Sequence, residues 1–121
     1  MTRVTLVTGG MGGLGEAICM KMADMGYEVA TTHSPGNTKV DAWLAEMKEK
    51  GYHFRAYPCD VADYDSAQEC VSHITKDMGP IDVLVNNAGI TRDMTFKKMG
   101  KTNWDLVIRT DLDSVFNMTK P

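Results

Sequence analysis

The sequence predicts an α/β domain whose parallel sheet is doubly wound, with helices on both faces, and three observations carry that expectation. Short apolar, β-branched runs alternate with segments of helical periodicity in the order βαβαβαβα. The first run leads directly into Thr8-Gly9-Gly10-Met11-Gly12-Gly13-Leu14-Gly15, a glycine turn between strand and helix. Polar signals, Asp60 and Asn86-Asn87-Ala88-Gly89, follow the third and fourth runs at the equivalent place. Right-handed crossovers convert such an alternation into a parallel sheet. Ligands then sit beyond the carboxyl ends of the strands, so these signals should line one crevice.

Taken in order, Val4-Thr5-Leu6-Val7 reads as a buried parallel strand. Ala17, Ile18, Met22 and Met25 follow at helical spacing, closing on Gly26. Tyr27 to Thr32 forms the second strand and His33-Ser34-Pro35-Gly36-Asn37 the loop after it. Thr38 is placed to cap a helix carrying Val40, Trp43, Leu44 and Met47 at i, i+3, i+4, i+7, which Gly51 ends. His53 to Tyr57 is the third strand. Ala67, Cys70, Val71, Ile74 and Met78 trace the third helix, stopped by Gly79-Pro80. Ile81 to Val85 is the fourth strand, and Thr102 can cap a last helix from Asn103. That helix gathers Trp104, Val107, Ile108, Leu112, Val115 and Phe116 on a broad apolar face, with Leu106 and Met118 outside it. The face is wider than one sheet requires, which predicts a subunit contact.

The glycines have distinct physical tasks. Gly9 allows the sharp turn, Gly13 lets a pyrophosphate approach bare backbone, and Gly15 lets helix and strand pack closely. Phosphates would sit at the positive end of the first helix. Gly10 and Gly12 offer other registers; Thr8 ahead of Gly9 supports the one chosen.

Composition narrows the function. The chain has 121 residues, 24% charged, with a formal net charge of −3, the values of one soluble domain. It has neither the basic patch that nucleic acid requires nor an apolar run that could span a membrane. Cys19, Cys59 and Cys70 lack metal or redox spacing and read as small core residues in a reducing, cytoplasmic setting. No metal site is expected.

These motifs together resemble the short-chain dehydrogenase/reductase family across essentially the whole chain. Thr8-Gly9-xxx-Gly13-x-Gly15, Asp60-Val61 and Asn86-Asn87-Ala88-Gly89 are its N-terminal signatures in the usual order. Ile90-Thr91-Arg92-Asp93, Phe96-Lys97-Lys98-Met99 and Trp104-Asp105 resemble the 3-oxoacyl thioester reductases, acetoacetyl-CoA reductases of polyhydroxybutyrate synthesis before 3-oxoacyl-carrier-protein reductases. The resemblance implies a Rossmann-like fold and hydride transfer from NAD(P)H to a 3-oxoacyl thioester. By it, Gly9, Gly13 and Gly15, with the backbone of Gly10, Met11, Gly12 and Leu14, hold the pyrophosphate. Asp60 accepts from the adenine amino group, Val61 packs beside the ring, and Asn87, Ala88 and Gly89 touch the adenosine ribose. Asp93 and Lys98 match positions facing the acyl-CoA substrate, and the last helix matches one used in subunit contacts, implying a homo-oligomer.

The cofactor is weighed at the end of the second strand. Thr32-His33-Ser34 contains no acid for a ribose 2′-OH, and Lys39 is placed to meet a 2′-phosphate. This favours NADP(H), with NAD(H) as the alternative.

Two departures from the family stand out. Its Ser, Tyr and Lys lie in the second half of a longer chain, and no Tyr-xxx-Lys occurs here. Asp111 occupies the place of an asparagine that helps hold a proton-relay water; an ionised aspartate accepts hydrogen bonds but donates none. The expectation is the N-terminal, cofactor-binding half of a reductase, inactive alone. A non-catalytic nucleotide-binding module is the competing reading. A purely structural half is the third.

Overall fold

The computed structural model of the chain describes residues 2–89 and 100–121. Four strands form one parallel sheet: β1 (Val4–Val7), β2 (Glu28–His33), β3 (Arg55–Pro58) and β4 (Ile81–Val85). Helices α1 (Gly13–Asp24), α2 (Val40–Glu49) and α3 (Tyr64–Met78) connect them. The strand order is β3-β2-β1-β4. The chain therefore winds outward from β1 through β2 to β3, then crosses back to the other side of β1. That reversal lies beside the glycine turn.

Alternation along the buried strands splits the interior in two. Val4 and Leu6 join Ala30, Cys59, Ile74 and Met118 on one face, whereas Val7 joins Cys19, Val29, Trp43, Met47 and Phe54 on the other. In the second core Phe54 stacks between Trp43 and Tyr52, with ring centroids 5.6 and 5.4 Å away. Trp43 Nε1 donates to Glu16 Oε1 at 2.8 Å, fastening α2 to the first turn of α1. β3 begins at Arg55, later than the apolar pattern suggests, and ends on Pro58. A proline lacks the N–H of a ladder and is tolerated there because β3 is an edge. At the other edge, the β1–β4 register shifts after Val4, and the Asp82 carboxylate accepts the Val4 N–H at 2.8 Å.

Helix starts differ from the sequence expectation in two places. Residue Lys39, not Thr38, is the N-cap of α2; Asn37 Oδ1 accepts the Lys39 N–H at 2.8 Å, and this side-chain turn replaces a threonine cap. Gly100, not Thr102, precedes the last helical run, which begins at Lys101, where Lys101 pairs with Asp105. α3 has a side-chain cap, Asp63, accepting from the backbone of Asp65 and Ser66.

The larger correction concerns that last run. It consists of α4 (Lys101–Val107), a π-helical turn (Ile108–Asp113) and α5 (Ser114–Thr119), helical dihedrals being kept across both junctions. Met118, expected outside the packed face, is buried against Cys59, while Leu112, Val115 and Phe116 are exposed. Ser114 and Asn117 are buried too, and Asn117 Nδ2 donates to the Val61 carbonyl at 3.0 Å. The wide turn accommodates an extra residue, so positions after it fall one step from where about 3.6 residues per turn would place them. Counting at the ordinary helical period therefore misplaces Met118, while Leu112 and Phe116 stand exposed, as an apolar face wider than the sheet requires leads one to expect.

Burial also sets a pH limit. Cys19 has no exposed surface, and burial pushes its thiol up to about 11, against a hydrogen bond to Thr31 and with Glu16 adding to the rise. The unfolded thiol ionises near 9.0. Between these values the folded state keeps a proton that the unfolded state has lost, so stability falls as pH rises. The contribution is about 2–3 kcal/mol at most. Urea unfolding from pH 8 to 11 should show the decline, and Cys19→Ala should flatten part of it.

Candidate functional site

The glycine turn is held from three sides. Gly9 adopts φ 66°, a left-handed conformation that favours glycine. From β2, Thr32 Oγ1 accepts the Gly9 N–H at 3.2 Å and Thr31 Oγ1 accepts the Gly10 N–H at 2.8 Å. Thr31 in turn donates to the Val7 carbonyl at 2.8 Å. From the end of β4, Asn87 Nδ2 donates to the carbonyls of Thr8 and Gly9, each at 3.2 Å. Thr8 Oγ1 accepts the N–H groups of Asn87 and Ala88 at 3.0 and 2.9 Å. Hydroxyls and one amide thus fix the inner side of the turn and join three strand ends.

Close packing continues at Gly15, where a Cβ would come within 2.3 Å of the Gly9 carbonyl oxygen and 2.7 Å of Asn87 Nδ2. At Gly13 a Cβ would meet nothing within 4 Å among the described residues. Gly13 begins α1, and Gly12 at its N-cap supplies no side-chain cap. The leading N–H groups of a helix lie beyond its internal ladder, which suits an anion.

A cleft of about 660 Å³ opens at these strand ends. It brings together Gly9, Gly12, Gly13, Leu14 and Gly15 with Asp60, Val61, Asn87, Ala88 and Gly89, all predicted from sequence. Asp60 is set by its own turn: its N–H donates to Ser66 Oγ at 2.9 Å, and its Oδ1 accepts the Ala62 N–H at 3.1 Å. Three residues expected to bind the cofactor are not in the lining. Gly10 is turned inward, where a Cβ would lie 2.0 Å from Thr31 Oγ1. Met11 packs against the second core and takes Asn37 Nδ2 at 3.9 Å. Lys39 is exposed at the start of α2. Asp111 lies in the π-helical turn, its carboxylate 3.1 Å from where a Cβ on Gly89 would be. Asp93 and Lys98 lie outside the described residues.

The lining includes Thr32, His33 and Ser34, the stretch weighed for the ribose, and adds residues that the sequence motifs do not single out for the site, among them Cys59, Leu106 and Thr110. His33 Nδ1 stands 2.9 Å from the Ser34 carbonyl. Thr31 and Thr32 are equally important for the turn. Two adjacent hydroxyls ending a strand next to a glycine turn are the available signal, masked because threonine is also an ordinary strand residue. Among the described residues no cluster of His, Cys, Asp or Glu could hold a metal, and no helix is long and apolar enough to cross a membrane.

The sequence pattern of the short chain dehydrogenases matches residues 3–121. An acetoacetyl-CoA reductase of Cupriavidus necator is 45% identical over 118 residues, which cover 98% of this chain and 48% of that protein. Nodulation protein G of Azospirillum brasilense is 48% identical over 118 residues, with the same shares. Among solved structures, an actinorhodin polyketide ketoreductase with NADPH superposes with a TM-score of 0.90 at 31% identity, over 98% of this chain and 45% of that one. The chain spans about half the length of the curated relatives it matches. With a parallel sheet, a clamped glycine turn and a family pattern matched almost from end to end, the chain belongs to the short-chain dehydrogenases.

Proposed function

We propose that the cleft binds a nicotinamide dinucleotide and that the chain is the cofactor half of a reductase acting on a 3-oxoacyl thioester, acetoacetyl-CoA foremost. Gly13 carries the reading. Its missing side chain leaves bare backbone facing open space, while Gly9 and Gly15 on either side are closed by neighbours. The likeness to an acetoacetyl-CoA reductase and to a ketoreductase with NADPH supports the substrate class and the cofactor. When bound, the dinucleotide supplies the hydride.

Each residue of the cleft then has its own task. The start of α1 receives the pyrophosphate, Asp60 accepts a hydrogen bond from the adenine amino group, and Val61 packs against the ring. Asn87, Ala88 and Gly89 border the adenosine ribose. Thr32-His33-Ser34 presents no carboxylate to a ribose 2′-phosphate, and Lys39, exposed beyond that strand, reaches it from solvent; NADP(H) is preferred on this ground. Asp93 and Lys98 meet the acyl-CoA, with Lys98 toward its phosphates.

Calorimetry on the folded chain tests this with NADPH, NADH and ADP-ribose. Heat is expected with all three, NADPH binding most tightly, and Lys39→Glu should weaken NADPH by about tenfold while sparing NADH. Absence of heat or chemical-shift change at ~1 mM ligand would sink the reading.

Assembly into a homo-oligomer in the cytoplasm completes the proposal. Leu112 and Phe116 are 62% and 61% exposed and line an apolar groove with Val115, a surface of the kind that marks interfaces. Sedimentation at micromolar protein should show a dimer or larger, and Phe116→Glu should shift it toward monomer. A wild-type chain that sediments as a compact monomer would remove this part.

A further inference from the structure

Consecutive side chains of α5 reach the loops at the strand ends. Asn117, 7% exposed, donates from Nδ2 to the Val61 carbonyl at 3.0 Å. Met118 Sδ is 3.8 Å from Cys59 Sγ, and Thr119 Oγ1 accepts from Asn86 Nδ2 at 3.4 Å. Of these, Asn117 meets a residue assigned to the base. Asn117 itself is not in the lining of the cleft, whereas Asp60 and Val61 are. Any effect of Asn117 on a ligand there must pass through the turn that carries them.

That turn is shaped from within. The Asp63 N–H donates to the Asp60 carbonyl at 3.0 Å, and the Ala62 N–H to Asp60 Oδ1 at 3.1 Å. The Asp60 N–H donates to Ser66 Oγ at 2.9 Å, and Asp63 caps α3. Those bonds all fall between Asp60 and Ser66, so they fix the form of the turn and its junction with α3. The Asn117 bond joins residues 56 positions apart and ends at the middle of the turn. It fixes where the turn stands across the cleft. A buried carbonyl that loses its donor has to find water or another donor, and the backbone carrying it moves.

We propose that Asn117 is a positioning residue for the base: by holding the Val61 carbonyl it places the Asp60 carboxylate at the exocyclic group of the purine and gives the cleft a preference for adenine over hypoxanthine. This rests on the dinucleotide reading above and adds to it a determinant of specificity on the last helical run.

The two bases differ where the carboxylate acts. Adenine presents an amino group, which donates to it; hypoxanthine presents an oxygen, which sets one acceptor against another. Discrimination of this kind depends on distance, because a hydrogen bond weakens steeply outside a narrow range. With Oδ1 held by the Ala62 N–H, the carboxylate follows the turn. A turn released at Val61 carries Asp60 with it, and the preference fades even where the phosphates still bind.

Calorimetry on the whole chain with NADPH and its oxo counterpart, reduced nicotinamide hypoxanthine dinucleotide phosphate, reads the ratio of affinities. The native chain should favour NADPH about tenfold. Asn117→Leu should bring the ratio close to unity, weakening NADPH about tenfold and the oxo ligand less than about twofold. Asp60→Asn should also erase the preference, and adding Asn117→Leu to it should move the ratio no further, since the two residues act in series. Met118→Leu alters the packing of the same helix without removing the donor and should leave the ratio as it is. Asn117→Ala repeats the test with a smaller side chain, circular dichroism checking each fold. An unchanged ratio, or equal weakening of both ligands, in a folded Asn117 variant overturns the proposal. So does a native ratio of unity, or a ratio that Met118→Leu moves equally. Failure of both Asn117 variants to fold would make the residue a determinant of the fold instead, and overturns it too. A native chain that binds neither ligand refutes the dinucleotide reading itself, and the proposal falls with it.

Discussion

Gly13→Val should abolish dinucleotide binding while leaving the fold intact. Among the described residues nothing lies within 4 Å of a Cβ at Gly13, so a branched side chain there should displace no core residue and fill the proposed place of the pyrophosphate. An affinity loss of at least about a hundredfold is expected, without a matching change in melting temperature. Gly15→Ala should act differently. Its methyl would lie 2.3 Å from the Gly9 oxygen and 2.8 Å from Gly10 Cα, a clash with backbone that no rotamer relieves. Overpacking of this kind costs about 1–3 kcal/mol, and binding should fall through distortion of the turn. Calorimetry paired with thermal unfolding separates the two. A Gly13→Val chain that still binds NADPH would show that the pyrophosphate lies elsewhere.

The 121-residue chain should not reduce acetoacetyl-CoA at an enzymatic rate by itself. The proposed reaction needs a proton for the carbonyl oxygen as hydride arrives, and the sequence holds no tyrosine followed by lysine at the fourth position. A positioned general acid is worth roughly 10²–10⁴-fold. Supplying the second half of a related reductase, fused or in trans, should restore turnover. Asp111→Asn should then raise it further, by returning a donor to the relay position. The measurement is NADPH oxidation on protein of verified mass, and turnover belonging to this species alone would refute the expectation.

Several features are legible from residue order. The parallel sheet follows from apolar runs separated by helical periodicity, and the cleft from three signals at equivalent strand ends. Each signal is local: a glycine turn, an aspartate after β3, an asparagine after β4. The clamp on the turn is not local. Thr31 and Thr32 act there because the β1–β2 register places Val7 opposite Thr31, and no pattern within β2 announces it. Helix caps are misplaced by residue type for a related reason. Thr38 and Thr102 are good capping residues, but the Asn37 turn and Gly100 decide where each helix begins. Met118 escapes the pattern because its burial depends on how many residues the preceding turn contains, and hydrophobicity carries no record of that number.

In the final helical run, substitution and change of length are therefore inequivalent kinds of mutation. Exchanging one apolar residue for another in α5 alters the size of a contact. Deleting a single position between Ile108 and Asp113 would return the wide turn to ordinary helix and leave Met118 and Asn117 facing inward. Deleting one within α5 has no such turn to draw on, and each residue after it would be carried round by roughly 100°. The π-helical turn thus holds slack in chain length, so tolerance of a lost codon depends on which side of Ser114 it falls.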